Sequence, residues 1–431
     1  MQAKETGNGF EGYCQNLLEN GVFNGFKADL HVIHGPQKNV VVTDKEKVTL
    51  SNFCSNNYTG LAADPRIIEA AKRTLDTHGF GLSSAPLMWG FQDIHQRLEE
   101  ELSEFHGTEA TLLYPSGYHT NVGFFSAWFG EEDAIFSDEL NHNSIIDGVK
   151  LSKAKKYVFN HLDLEHLEEC LKESMDKRFR CIVTEGIFSM DGDILELPKY
   201  IALAKKYKAI LYLDECHSTG VLGKTGRGSV EYWGANPDDV DLISSTLGKA
   251  VSGGGGGYTT GKKNLIEYLR QTSKTFIFSN SLCSPIIGAS REALRILKAD
   301  TSIFEKIRIK GLRFRKGMEK EGFKVYGDYD CPICPVCLYD EYVGKQFEIK
   351  LFEKGYYTIG IGFPIFPQGT ARIRIIITAI HTNEQIDGLI QAFVEIAEEL
   401  NYFEIMKDYD LKVQKGLVIG HPNWWRTPAK L

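Results

Sequence analysis

The chain has 431 residues, with 49 Lys+Arg against 57 Asp+Glu, a formal charge of −8, and 42 % apolar residues. It is too apolar for a disordered polymer, and its acidic balance argues against a nucleic-acid or polybasic membrane binder. No apolar run approaches the ~20 residues of a membrane span, and the start MQAKETGNGFEGYCQ has neither an apolar signal core nor the Arg richness of a transit peptide. Glycine is in excess, at 42 residues.

The first 55 residues read as an N-terminal helix followed by a short hairpin, NVVVTDKEKVTLSNF. From about 64 to 260, helical periods at 65–78, 94–105, 164–175 and 197–207 alternate with short apolar runs. Asp64-Pro65 is a good helix start, an acidic cap followed by proline in the first turn. The apolar runs are ATLLY (110–114), AIFSD (134–138), KYVFN (156–160), RCIVTEG (180–186), AILYLDE (209–215) and DLISSTL (241–247). Such alternation predicts a large, mostly parallel sheet covered on both faces, spanning 56–290. After Pro285 a long charged helix (303–321), the strands CLYD and ARIRIIIT, and helices near 345–354 and 383–400 predict a smaller α+β domain, 291–403. Residues 404–431, with Trp424 and Trp425, read as a tail, either packed on a surface or disordered.

Nine cysteines, an odd number spread over the chain, suit a reducing cytosol better than a disulfide scaffold, with the mitochondrion as the other compartment. Three of them, Cys331, Cys334 and Cys337 in CPICPVC, raise a metal reading. No second Cys/His pair follows at finger spacing, so an edge strand and no metal is the expectation.

In an open parallel sheet, chemistry gathers at the carboxyl ends of the strands. PSGYHTN (115–121) leads from one strand into a helix whose first N–H groups suit a phosphate. ELNHNSIIDG brings His142 to the same rim, CHSTG follows Asp214 and carries His217, and GKAVSGGGGG carries Lys249. A phosphate cup, a buried carboxylate and a lysine together meet the needs of pyridoxal phosphate (PLP). GKTGRG and TLGKA lack the spacing of a nucleoside-triphosphate loop, and no G-x-G-x-x-G opens the first strand–helix turn.

These motifs, with NFCSNNYTGLAADP, SDELNHNSIIDG, TEGIFSMDGD, LDECHSTGVLGKTGRGS, FIFSNSL and ARIRIIITAIHT, resemble the α-oxoamine synthases over residues 52–397. That is a PLP-dependent transferase family of fold type I, aspartate-aminotransferase-like. FCSNNYTGL and PIFPQGTARIR look most like its glycine C-acetyltransferase branch.

The resemblance implies that Lys249 forms the Schiff base and Asp214 faces the pyridine nitrogen. It implies that His142 stacks on the ring and that His217 and Ser189 contact the phenolic oxygen. Gly117, Tyr118 and Thr246 would hold the phosphate, with Ser279 added from a partner subunit, since the family's sites lie at a homodimer interface. Asn56 and Arg374 would hold the amino-acid carboxylate, and Glu185 would support the ring from behind. The implied reaction condenses glycine with acetyl-CoA to 2-amino-3-oxobutyrate and CoA, or runs in reverse in threonine catabolism.

One segment departs from the family. APLMWGFQ (85–92) has Pro86 where an arginine is usual and Phe91 where a threonine is usual. An altered acyl channel is one consequence, which keeps an 8-amino-7-oxononanoate synthase-like or serine palmitoyltransferase-like substrate open. A catalytically inactive regulatory homologue is a third reading, against which Lys249, Asp214 and His142 speak.

Overall fold

The computed structural model describes residues 32–36, 38–43, 48–362, 366, 369–404 and 406–407. The expected N-terminal helix and nearly all of the 404–431 tail lie outside the described residues.

The central sheet holds seven strands: β4 (Ala110–Tyr114), β5 (Ala134–Asp138), β6 (Lys155–Phe159), β7 (Arg180–Glu185), β8 (Ile210–Asp214), β9 (Leu242–Thr246) and β10 (Gly257–Gly261). Their order is β4-β10-β9-β8-β7-β5-β6. Every pairing from β9 to β6 is parallel, but β10 runs antiparallel between β4 and β9. The glycine-rich run before β10 reads as a loop in the sequence and hides this strand.

Alternate residues of the same strands pack on opposite faces of the sheet, as the two-residue period of a strand requires. Phe136, Ile182, Leu211 and Leu213 pack with the helices Leu164–Lys172 and Leu197–Tyr207 on one face. Ile135, Val183 and Tyr212 pack with the helices Gly117–Trp128 and Asn143–Leu151 on the other. The sheet is therefore buried on both sides. Asp64 caps the helix Pro65–His78 through its side chain, as its sequence predicts.

A second core forms around β11 (Ile333–Tyr339), β13 (Ile359–Ile361) and β14 (Ala371–Ile376), covered by the helices Ser302–Lys320, Glu341–Glu353 and Asn383–Glu399. The hairpin β2 (Val40–Thr43) and β3 (Thr49–Asn52) joins this end of the molecule, because β3 pairs in parallel with β12 (Tyr356–Tyr357). Phe53 continues the tie: its N–H donates to Tyr357 O, its carbonyl accepts from Ile376 N–H, and its ring is buried in the second core.

β11 lies at the edge of its sheet. Cys334 and Cys337 are three residues apart in it, so they point to opposite faces, and Cys337 Sγ donates to Tyr326 Oη. No cluster of three metal-ligating side chains occurs among the described residues.

Candidate active site

Parallel strands of one sheet deliver their last residues to one edge. β7 ends in Glu185 and β8 in Asp214, paired in register. β9 ends in Thr246, three residues before Lys249. The helix that follows β4 starts at Gly117, and the helix after β5 starts at Asn143 with His142 as its cap. These side chains surround a cleft of about 180 Å³, into which Tyr118, His217, Ser144 and Cys216 also reach.

The two acids of the cleft differ. Asp214 Oδ2 accepts from Asn121 Nδ2 at 2.7 Å, and Oδ1 accepts from Cys216 N–H at 2.8 Å. Glu185 is buried, and its Oε1 accepts from His142 N–H at 2.5 Å. Burial, with the Asp214 charge beside it, pushes the Glu185 carboxyl well above the usual carboxylate range. Burial therefore favours the uncharged form of Glu185, and Asp214 is the anchored acid facing the cleft.

Asn121 was not legible as a site residue. Its amide is fully used: Nδ2 donates to Asp214 and to Ser144 Oγ, and Oδ1 accepts from Tyr212 Oη and Ser244 Oγ. Ser144 Oγ in turn bonds His142 Nδ1 at 2.7 Å. One amide thus sets both the carboxylate and, through a hydroxyl, the imidazole above the cleft.

Lys249 Nζ lies 2.8 Å from His217 Nε2, and His217 Nδ1 lies 2.8 Å from Tyr58 Oη. Tyr58 Oη donates to Asn56 Oδ1 at 3.3 Å, and Arg374 Nη2 donates to the same oxygen at 3.3 Å. Burial and the nearby Lys249 and Arg374 charges hold the His217 imidazole far below its ordinary range, so it is neutral. Tyr58 is a second residue absent from the sequence reading. Only the fold brings it beside a histidine 159 positions away.

Eight expected residues line one cleft: Gly117, Tyr118, His142, Glu185, Asp214, His217, Thr246 and Lys249. Asn56 and Arg374 meet each other beside it. Ser189 meets Arg374 through its backbone, its carbonyl accepting from Arg374 Nε at 2.7 Å. The Thr246 hydroxyl donates to Gly256 O and accepts from Gly248 N–H, bracing the lysine loop. Ser279 is half-buried away from the cleft, in the segment that follows the short helix Lys274–Ile277. Pro86 and Phe91 border a separate narrow cavity with His95, Tyr114 and Leu282, so within one chain they do not form the wall of the Lys249 cleft.

The donor set fits PLP part by part. Gly117 and Tyr118 open a 12-residue helix, and the ordinary anion preference of such an end suits a phosphate. A Cβ on Gly117 would come within 3.1 Å of Cys216 Sγ and 3.3 Å of Thr246 Cβ, so the bare glycine keeps this cradle open. Asp214 supplies the carboxylate for a pyridinium, and Lys249 supplies the amine for an aldehyde.

Residues 48–393 match the family model of class I and II aminotransferases. The mitochondrial 2-amino-3-ketobutyrate coenzyme A ligase of Mus musculus is 47 % identical over 345 residues, 80 % of this chain and 82 % of that protein. The 8-amino-7-oxononanoate synthase of Thermosipho melanesiensis is 42 % identical over 376 residues, 87 % of this chain and 95 % of that one. A solved serine palmitoyltransferase of S. paucimobilis, with a bound PLP–myriocin aldimine, superposes with TM-score 0.83 at 27 % identity, over 91 % of this chain and 98 % of that one. With that fold, that cleft and these relatives, the chain belongs to the class I and II aminotransferase family and, within it, to the PLP-dependent α-oxoamine synthases.

Proposed function

We propose that the chain is an acyltransferase that condenses glycine with acetyl-CoA to 2-amino-3-oxobutyrate and CoA, or cleaves that product in reverse. The observation that carries this reading is the convergence of Lys249, Asp214, His142 and the Gly117 helix start on one cleft, with Arg374 beside it. When bound, PLP supplies an aldehyde that condenses with amines and a cationic ring that takes up electrons.

The Gly117 and Tyr118 N–H groups would hold its phosphate, and Asp214, fixed by Asn121 and Cys216 N–H, would pair with its pyridine nitrogen. His142 would lie against the ring, and Glu185, accepting from His142 N–H, holds that backbone in place. Arg374, oriented by Ser189 O and Asn56 Oδ1, would bind the glycine carboxylate and so set which Cα–H bond points at Lys249. Lys249 Nζ would take that proton, and His217 Nε2, 2.8 Å away, would share it.

The active unit is a homodimer. Phe80, Leu87, Met88, Trp89 and Phe278 are all strongly exposed, Trp89 at 86 %. The segments that carry them touch, through Ser281 N–H to Ser84 O and the Ser284 hydroxyl to Gly79 O. Such an apolar patch suits a second copy, which would bring Ser279 and the 85–92 segment to its partner's cleft. The eight cysteines among the described residues are free, in keeping with a reducing compartment. No helix there is long and apolar enough to cross a membrane.

A second reading keeps the chemistry but changes the acyl donor. It rests on Pro86 and Phe91 and on the 42 % identity to an 8-amino-7-oxononanoate synthase. CoA release measured with glycine, alanine and serine over acyl-CoAs of graded length separates the two. Fastest release from acetyl-CoA with glycine is expected. Release only from long acyl chains moves the protein to the second reading, and failure to take up PLP sinks both.

A further inference from the structure

Two acids stand side by side in the chain and face apart. Asp214 turns to the cleft, and Glu215 turns into the protein, where it is fully buried. The backbone of Glu215 opens the turn that carries His217. Its N–H donates to Ser244 O at 2.7 Å, and its carbonyl accepts from Ser218 N–H at 3.0 Å, Thr219 N–H at 2.9 Å and the Ser245 hydroxyl at 3.3 Å.

The carboxyl closes a second connection. Oε2 accepts from Ser229 N–H, 14 residues on, at 2.9 Å. Oε1 converges with Ser218 Oγ and Ser229 Oγ on the space beside Gly186, where a Cβ would clash with all three. The three oxygens are buried, and none has a partner outside the group. The carboxyl thus meets one backbone N–H and two hydroxyls. The titratable groups that face it are Asp214, beside it in the chain, and Tyr258 from β10, and neither is a cation.

Counting protons separates the two states of the acid. Ionised, Oε1 accepts from both hydroxyls, and every oxygen of the group is satisfied. Protonated, the acid carries its proton on Oε1, because Oε2 faces Ser229 N–H. It then donates to one serine, that serine donates to the other, and the last hydroxyl proton has no acceptor, which is costly in a buried site. Burial and the Asp214 charge favour the protonated acid, and the three donors favour the ionised one. The balance raises the carboxyl to about 7.

We infer that Glu215 is a positioning residue whose carboxylate, by taking the Ser218 hydroxyl, fixes the turn that aims His217 Nε2 at Lys249 Nζ. The inference rests on the proton-handling role proposed above for Lys249 and His217. Ser218 follows His217 directly, so a hydroxyl drawn to the carboxylate sets the imidazole next to it in the chain. When the acid takes up a proton it donates where it had accepted, and its hold on the turn loosens.

Two variants isolate the effect. In Glu215→Gln, Ser229 N–H still requires an acceptor, so the amide oxygen takes the place of Oε2 and the NH₂ that of Oε1. That is the arrangement of the protonated acid, held at every pH. Ser218→Ala removes one donor from the carboxylate and so raises its titration. The full PLP-loaded chain is followed on both sides of pH 7 by the infrared carbonyl stretch of a protonated carboxyl and by kcat for CoA release with glycine. On acidification the wild type should gain the band and lose kcat on the order of tenfold, with one midpoint near pH 7. Glu215→Gln should show neither change and stay at the low-pH rate, and Ser218→Ala should move both midpoints upward. A wild type without the band, a kcat that does not follow it, or a wild-type profile in Glu215→Gln would overturn the inference. Should Glu215→Gln not fold, Ser218→Ala decides. A chain that takes up no PLP, or releases no CoA, would sink the functional reading instead. The ¹⁵N signals of His217 in the unloaded chain then judge the positioning: movement with the infrared band supports it, and fixed signals overturn it.

Discussion

Asp214 shows how a single carboxylate is made dependable. Each of its oxygens has a donor, from an amide on the helix Gly117–Trp128 and from the next turn of its own chain. Asp214→Asn keeps the shape but places an NH₂ against one of those donors. We expect a folded protein, less stable by about 1–3 kcal/mol. Turnover should fall on the order of 10²-fold or more, as when one preorganised electrostatic partner is removed. Thermal melts beside steady-state rates check both, and near-normal turnover would contradict the assignment. Asn121→Asp puts a second carboxyl against Asp214, so weakened PLP uptake is expected, read as a higher PLP concentration for half-maximal visible absorbance. Asp214, His217 and Lys249 were legible because each follows a strand-like run and carries distinctive chemistry. Asn121 and Tyr58 were not, because an amide and a phenol acquire meaning only from partners 93 and 159 residues away.

At the level of elements, β10 does the least obvious work. Running against its neighbours, it lays Gly257 on the start of the helix Gly117–Trp128, with the isolated bridge Ser116–Gly256 continuing the contact. A Cβ on Gly257 would lie 2.5 Å from Ser116 C and 2.6 Å from Gly117 N, backbone atoms that cannot swing aside. Gly257→Ala should therefore displace the helix start and weaken PLP binding at least tenfold, measured by equilibrium titration of the visible band. Wild-type affinity would show that the helix start tolerates the push. The helices Pro65–His78 and Leu197–Tyr207 and the strands β4 and β5 fall at their sequence-derived bounds, because caps, prolines and apolar periods are local signals. β10 and the helices Lys263–Thr272 and Ser284–Ala299 escaped that reading. A run of five glycines masked the first, and it is a strand only because β4 and β9 leave a gap for it.

At the level of the whole molecule, residues 189–194 form the joint between the two cores. From the side of β14, Arg372 pairs with Asp191 at 2.6 Å and Arg374 holds Ser189 O. Asp328 takes Ile194 N–H on its carboxylate and donates its own N–H to Gly192 O. From the large sheet, His161 reaches Asp138 at 2.9 Å and Asp193 at 3.3 Å. Burial alone would lower the His161 pKa, but the Asp138 charge and the bonds to both acids outweigh it and raise it to about 10. A raised value means that the contribution is full below about pH 6.5 and is lost as pH climbs toward 10. The melting temperature of His161→Gln should thus fall furthest below wild type near pH 6, with the gap closing toward pH 10. A pH-independent gap would remove the ion-pair account. The exposed patch makes a separate prediction: Trp89→Asp should sediment as a monomer and lose activity, and an active monomer would rule out shared sites.

The pairing of β3 with β12 has a consequence in time. Ser51 meets Tyr356, about 300 residues downstream, while the large sheet lies on one continuous stretch between them. At roughly 5–20 residues per second, a ribosome needs about 15–60 s to make that stretch. The large sheet can close during translation while Phe53, fully buried in the finished protein, waits uncovered for its partner strands. Chaperone capture of stalled chains should therefore concentrate on those ending before residue 377 and be relieved in Phe53→Ser. The cleft shares that schedule, since Arg374 arrives on the strand that finally covers Phe53.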